Sequence, residues 1–310
     1  MSDVIAAAPT APPSFARDLV ALTKPRIISL LLVTTIAPMY VAGSPSWQLV
    51  LAVFVGGYLM AGGANAVNMY IDRDIDDRMS RTRLRPIPSG RMRAELVLAF
   101  GVLCATTATF LLAHIANVLT AALALGGFYT YVYVYTRWLK RTSPQNIVIG
   151  GAAGAFPPLV GWAAVTGRVD LMAVYLFLII FYWTPPHFWA LALNKQKDYN
   201  RAGVPMAPLI WGERETMRNM LWYTLILLPL SLLPVTFGAL GLPYFIMASI
   251  LGGILLRGVI RVMRASDFVK PAWSVYKYSL LYLALLFAAM VVDRVIDRNV
   301  VLGGAFLPNG

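Results

Sequence analysis

Asn68, Asp72 and Asp76 stand at even spacing where a long apolar run meets a charged loop. The stretch from Asn68 to Gly90 sets four aspartates among arginines, and carboxylates cluster nowhere else in the chain. If the run is helical, the three residues fall at i, i+4 and i+8 and line one face, while Asp74 and Asp77 point elsewhere. Two aligned carboxylates with an amide suit Mg²⁺. That hard cation takes one or two carboxylates and fills its other sites with water and substrate phosphate. A solvated loop beside the membrane, held by ion pairs, accounts for the same residues, and spacing alone leaves both readings open.

Other polar groups gather near the same level of the chain. The loop after the aspartates carries Arg78, Arg81, Arg83, Arg85, Arg91 and Arg93, stiffened by Pro86 and Pro88. Some of this charge is topogenic, yet guanidinium forks beside a metal would also clamp a diphosphate. Arg137-Trp138-Leu139-Lys140-Arg141 is either an interfacial anchor or a second cationic wall for the same anion. Asn194 and Asp198 repeat the Asn-x-x-x-Asp spacing, which makes Asp198 a candidate third carboxylate for a second Mg²⁺. Lys195 lies beside them. His114 falls at the far end of an apolar run and reads as an interface residue. His187, after Pro185-Pro186, precedes Asn194 by roughly 10 Å of helix. A histidine at that depth is satisfied by a neighbouring helix or faces a cavity. Gly62 and Gly63 need no function beyond close helix packing. Asn65 and Asn68 require partners or a wet cavity.

The elements that must position these residues are membrane helices. The chain has 310 residues, 59% of them hydrophobic and 13% charged, which excludes an ordinary soluble domain. Apolar runs of about twenty residues recur throughout. Nine spans are predicted: Ile27–Gly43, Trp47–Ile71, Ala94–Ile115, Val118–Thr136, Ile147–Thr166, Leu171–Leu193, Met217–Phe237, Leu242–Val262 and Tyr276–Ile296. The fifth is interrupted by Gly and Pro, which membrane helices tolerate where neighbours satisfy the freed backbone. The formal net charge is +12, but it sits in short loops, so it signals topology rather than nucleic acid. All Lys and Arg except Arg168, Arg294 and Arg298 fall on one side. The N-terminus is therefore expected in the cytoplasm, the C-terminus in the periplasm, and the polar cluster at the cytoplasmic helix ends. Residues 1–22 read as a disordered cytoplasmic tail, 23–298 as a single nine-helix domain, and 299–310 as a short periplasmic tail. The first residues carry neither a signal peptide nor an arginine-rich presequence, which points to a bacterial inner-membrane protein. The single Cys104 permits no internal disulfide. The expected fold is all-α: nine transmembrane helices around a central cavity open toward the cytoplasmic side.

Asn68-x-x-x-Asp72-x-x-x-Asp76 resembles the first aspartate-rich motif of the UbiA-type intramembrane prenyltransferases. Longer matches resemble the haem farnesyltransferase branch of that family. They are Leu22-Thr23-Lys24-Pro25-Arg26, Ser80-Arg81-Thr82, Arg85-Pro86-Ile87-Pro88-Ser89-Gly90, Trp138-Leu139-Lys140-Arg141, Pro144 to Gly151, Pro185 to Ala190, and Asp198-Tyr199 with Ala202 to Met206. The likeness runs from about Leu22 through the ninth span. Quinone-type members carry two aspartates in the second motif, whereas here Lys195 replaces the first and Asp198 remains.

The resemblance implies transfer of a farnesyl group from farnesyl diphosphate to the 2-vinyl group of protohaem IX, with water added and diphosphate released. It implies Mg²⁺ held by Asp72 and Asp76, with Asn68 assisting and Asp198 on the second side. It implies diphosphate bound by Arg81, Arg85, Lys140, Arg141 and Lys195, and haem contact at His187, since imidazole is a common axial ligand of haem iron. The partners implied are the two substrates, the bilayer, and haem A synthase or oxidase assembly proteins, with no nucleic acid. A prenyltransferase acting on a quinone or chlorophyll precursor is the near alternative. A secondary transporter is disfavoured, because its ionisable groups would line a path near the bilayer midplane.

Overall fold

The computed structural model describes residues 14–304, and side chains from 14 to 296. Among the described residues nine helices are long and apolar enough to cross a membrane: Pro25–Ala42, Trp47–Ile71, Ala94–Ile115, Val118–Thr142, Asn146–Thr166, Leu171–Asn194, Glu213–Thr236, Leu242–Arg264 and Val269–Ile296. They are called the first to ninth spans below. The protein is a multi-pass membrane protein, and no strand occurs among the described residues.

Start signals are local. Ser46 caps the second span by accepting from Leu49 N at 3.3 Å, and Asn117 caps the fourth by accepting from Thr120 N at 2.8 Å. The fifth span turns at Gly151 between Asn146–Gly150 and Ala152–Thr166 and continues past Pro157 and Pro158. The fourth span reaches further than the predicted Thr136: a π-helix, Thr130–Leu139, runs into a last helical turn, Lys140–Thr142.

Each span packs on the next in sequence, and the ninth packs on the first, closing a ring. The second and third spans meet backbone to backbone. A Cβ on Gly63 would lie 2.6 Å from Gly101 O, and one on Gly101 would lie 2.9 Å from Gly63 O. Without side chains at the crossing the helices gain close van der Waals contact, which is the attraction available inside lipid.

The N-terminal region departs from expectation. Residues 1–13 of the expected tail lie outside the described residues, but Phe15–Thr23 is a helix rather than a disordered strip. Ser14 accepts from Arg17 N at 3.4 Å to cap it, and Leu22 and Thr23 are buried. Its buried Asp18 receives Arg91 Nε at 3.0 Å and Nη2 at 3.0 Å, which ties the helix to the arginine loop. The composition of residues 1–15 hid this, since the anchoring partner lies in another loop. At the other end, 299–304 continue the last helix and 305–310 lie outside the described residues.

Candidate active site

The aspartate motif keeps its helical register through a break. The second span stops at Ile71, Asp72 takes φ −85° and ψ 6°, and Arg73–Arg78 form a short helix. Asp72 N still bonds Asn68 O at 2.9 Å, and Asp76 N bonds Asp72 O at 2.8 Å. The i−4 ladder therefore runs across the joint. Asn68, Asp72 and Asp76 are all buried, whereas Asp74 and Asp77 are exposed.

Buried carboxylates need counter-charge, and four basic residues supply it. Lys140 Nζ pairs with Asp72 Oδ2. Arg85 Nη1 pairs with Asp76 at 2.6 Å. Arg141 grips Asp74 through two parallel bonds of 2.8 Å, donates to Ile71 O at 2.9 Å, and stands 3.7 Å from Asp72 Oδ1. That guanidinium holds the Asp74 carboxyl down at about 2. Lys24 Nζ donates to Asn68 Oδ1 at 3.1 Å. Burial, with Arg85 nearby, pulls the Lys24 ammonium well below the ordinary lysine range, and Asp76 and Asp72 act in the opposite sense.

The Arg137–Arg141 segment thus divides. Arg137 and Trp138 are exposed, as an interfacial anchor requires, while Lys140 and Arg141 turn to the aspartates. The loop arginines divide too: Arg85 meets Asp76 and Arg91 meets Asp18, while Arg78, Arg81 and Arg83 are exposed. The loop is fixed by its own bonds, among them Thr82 Oγ1 to Asp76 O at 2.9 Å and Arg91 Nη2 to Leu84 O at 3.1 Å.

The second polar motif comes close through that loop. Asp198 accepts Ser80 Oγ at 2.8 and 3.0 Å, which joins the loops after the second and sixth spans. Its register differs from the first motif. Lys195 breaks the helix after Asn194, and Asn194 Nδ2 bonds only Ala190 O, at 2.9 Å. Lys195 and Asp198 are half-buried. Beside them, burial raises the Tyr199 phenol, with Arg81 opposing.

His187 belongs to a different contact, between the sixth and ninth spans. Its ring stacks on Trp183 at 4.4 Å and Tyr276 at 4.8 Å, and Nδ1 lies 2.7 Å from Ser279 Oγ. His114 is exposed at the opposite end of the third span.

The donor set bears on a metal. Among the described residues no three His, Cys, Asp or Glu side chains gather to hold an ion. Mg²⁺ does not require three, because substrate phosphates complete its shell. Asp72 Oδ1 is buried without a hydrogen-bond partner, while Oδ2 receives Asn68 Nδ2 at 2.8 Å and Lys140. An orphaned carboxylate oxygen is costly unless something binds it. The residues fit a cation that arrives with a phosphate, not one caged by protein alone.

Three contributors were not singled out from sequence as site residues. Lys24 carries φ 55°, the one positive value among non-glycine described residues. Thr136 accepts Asn68 Nδ2 at 3.0 Å. Ser279 meets His187. Only the Thr-Lys-Pro-Arg string around Lys24 offered any signal. Asn65 finds its partners in Thr23 O at 2.9 Å and Tyr131 Oη at 3.3 Å.

Comparison with known proteins shows the family and the fold. The profile of the UbiA prenyltransferase family matches residues 30–286. A protein called protoheme IX farnesyltransferase from Roseiflexus castenholzii is 57% identical over 286 residues, covering 92% of this chain and 53% of that protein. One of the same name from Symbiobacterium thermophilum is 50% identical over 280 residues, covering 89% of this chain and 94% of that protein. The chain spans about half the length of the first curated relatives it matches. Among solved structures, a UbiA homologue from Archaeoglobus fulgidus bound to DMAPP and Mg²⁺ superposes with a TM-score of 0.64 at 14% identity. That match covers 87% of this chain and 99% of that one, and it shows a shared fold.

Proposed function

The chain belongs to the UbiA prenyltransferase family, and on that premise we propose that it transfers a farnesyl group to protohaem IX. Farnesyl diphosphate, protohaem IX and water would give haem O and diphosphate. The observation that carries this reading is the buried Asp72, one of whose oxygens has no hydrogen bond and only Arg141 at 3.7 Å, with Lys24, Lys140 and Arg85 around it. Such a site suits a polyanionic leaving group that brings its own cation. The names of the relatives supply the acceptor.

Asp72 and Asp76 hold the metal, Asn68 assists, and Asp198 supports it from the neighbouring loop. When bound, Mg²⁺ neutralises charge developing on the departing diphosphate. Arg81, Arg85, Lys140, Arg141 and Lys195 bind the diphosphate, and Lys24 joins them. These donors act where charge appears, in surroundings poor in water. The allylic C–O bond breaks with its electron pair leaving on diphosphate. The 2-vinyl π electrons form the new C–C bond. Water adds at the resulting cation beside the porphyrin and loses a proton. Apolar helix faces around the farnesyl chain delay earlier capture by water. His187 contacts haem, whose iron commonly takes an imidazole ligand.

The site lies on the cytoplasmic side of a bacterial inner membrane, below a cavity open to that side. The N-terminus is cytoplasmic and the C-terminus periplasmic. Haem A synthase or oxidase assembly proteins would receive the product.

The test is expression of the wild type and Asp72→Asn in a host that lacks haem O. Pigment extraction with mass analysis should find haem O with the wild type alone. Equal product from both would remove Asp72 from catalysis. A prenylated quinone precursor in place of haem O would reassign the acceptor. A His187→Ala variant with unchanged haem affinity and yield would remove that residue from the site.

A further inference from the structure

The π-helical segment Thr130–Leu139 sets one side chain against the aspartate motif. Such turns are rare and collect at functional sites. The fully buried Thr136 donates its hydroxyl hydrogen to Tyr131 O, five residues back, at 2.8 Å. A hydroxyl has one hydrogen to give. Thr136 Oγ1 can then only accept, and it accepts from Asn68 Nδ2 at 3.0 Å. The same nitrogen donates to Asp72 Oδ2 at 2.8 Å, and the amide oxygen takes Lys24 Nζ at 3.1 Å. Three partners therefore fix the amide so that nitrogen, not oxygen, faces Asp72. Asp72 Oδ2 is filled by Asn68 and Lys140, and Oδ1 is the oxygen left without a hydrogen-bond partner.

We propose that Thr136 is a positioning residue. Through Asn68, its hydroxyl turns the Asp72 carboxylate so that Oδ1 is offered to a divalent cation. Asn68 then assists by orienting Asp72 rather than by lending its own oxygen. This rests on the reading that a cation and a diphosphate meet at Asp72. Partners that orient a metal ligand typically contribute about 10–100-fold in metal affinity.

The experiment uses the purified full chain in detergent, with Mn²⁺ and inorganic diphosphate as probes. Free Mn²⁺ is followed by electron paramagnetic resonance, and each variant is melted in parallel. Thr136→Val removes the hydroxyl at nearly constant shape and should weaken Mn²⁺ about tenfold or more. Thr136→Ser keeps the hydroxyl and should stay within about threefold of wild type. Thr136→Ala, which adds no bulk, replaces the valine variant if that one fails to fold. Wild-type Mn²⁺ affinity in the variant lacking the hydroxyl overturns the proposal, even where its melting point falls, because the hydroxyl would then serve only the Tyr131 carbonyl. Equal weakening in the serine variant overturns it as well. A wild type that binds no Mn²⁺ with diphosphate refutes the metal reading itself, and the inference falls with it.

Discussion

At the scale of single residues, Lys24 shows a backbone held against its preference. A left-handed conformation costs an L-residue about 1–2 kcal/mol, and Lys24 adopts it just before Pro25, between two helices. The bond to Asn68 and the surrounding carboxylates stand against that cost. Lys24→Gly should relieve the strain and delete the ammonium, while Lys24→Met deletes the ammonium alone. Both variants should lose about tenfold or more in product formation, the equivalent of one charged hydrogen bond. The glycine variant should melt no lower than the methionine variant. A glycine variant with full activity would show that the backbone, not the ammonium, matters. Arg85 makes the complementary case. Arg85→Leu strands the buried Asp76 carboxylate and should cost about 3–5 kcal/mol, with partial recovery on adding Asp76→Asn. Thermal unfolding of the single and double variants decides it.

Elements bring the next constraint, since helix ends cannot carry a site unless the helices are held in register. The crossing of the second and third spans at Gly63 and Gly101 sets the depth of the aspartate motif, which begins five residues after Gly63. A methyl on Gly63 meets backbone, not a flexible side chain, so the spans must part. Gly63→Ala should destabilise by about 1–3 kcal/mol, in the range of overpacking, and lower activity by moving Asp72. Gly253→Ala meets nothing within 4 Å and should be neutral or stabilising, because alanine is the better helix former. Detergent melting curves of the pair give the comparison, and equal melting points would refute the crossing's role. At the other end of the ring, Asp293 on the ninth span accepts Gly241 N at 2.7 Å and Tyr244 N at 3.1 Å. It thereby caps the eighth span from its neighbour, a fixed join far from the site.

Among the described residues the spans close a ring in sequence order, braced by further packing of the first span on the fifth and of the sixth on the ninth. That closure lets the end of the fourth span meet the loops after the second and sixth spans: Asp72 with Lys140, Ser80 with Asp198. From the charge asymmetry we propose that this end faces the cytoplasm. Alkaline phosphatase fused after the last span should be active, and the same enzyme fused just after Thr142, at the end of the fourth span, should be inactive. The reverse pattern would invert the molecule and place the proposed diphosphate site outside the cell's supply of prenyl donors.

The sequence by itself determined the number of spans and several of their limits, while the fourth runs on to Thr142, the seventh begins at Glu213 rather than Met217 and the ninth at Val269 rather than Tyr276. The predicted Trp47–Ile71 and Ala94–Ile115 are the observed ones. These are local properties: apolar length, caps and charge flanking each run are written in consecutive residues. The common face of Asn68, Asp72 and Asp76 was legible for the same reason, since helical periodicity is local. Which cation meets which carboxylate was not. Lys24 reaches Asn68 across 44 residues and Lys140 reaches Asp72 across 68. Arg81 and Arg85 look alike in the loop, yet only Arg85 turns to Asp76. The π-helical turn at Thr136, the helical latch of Asp18 on Arg91, and the stacking of His187 on Trp183 and Tyr276 belong to the same group. Each depends on where a distant element packs. The free energy of such contacts lies between segments, so only the closed ring of helices decides it.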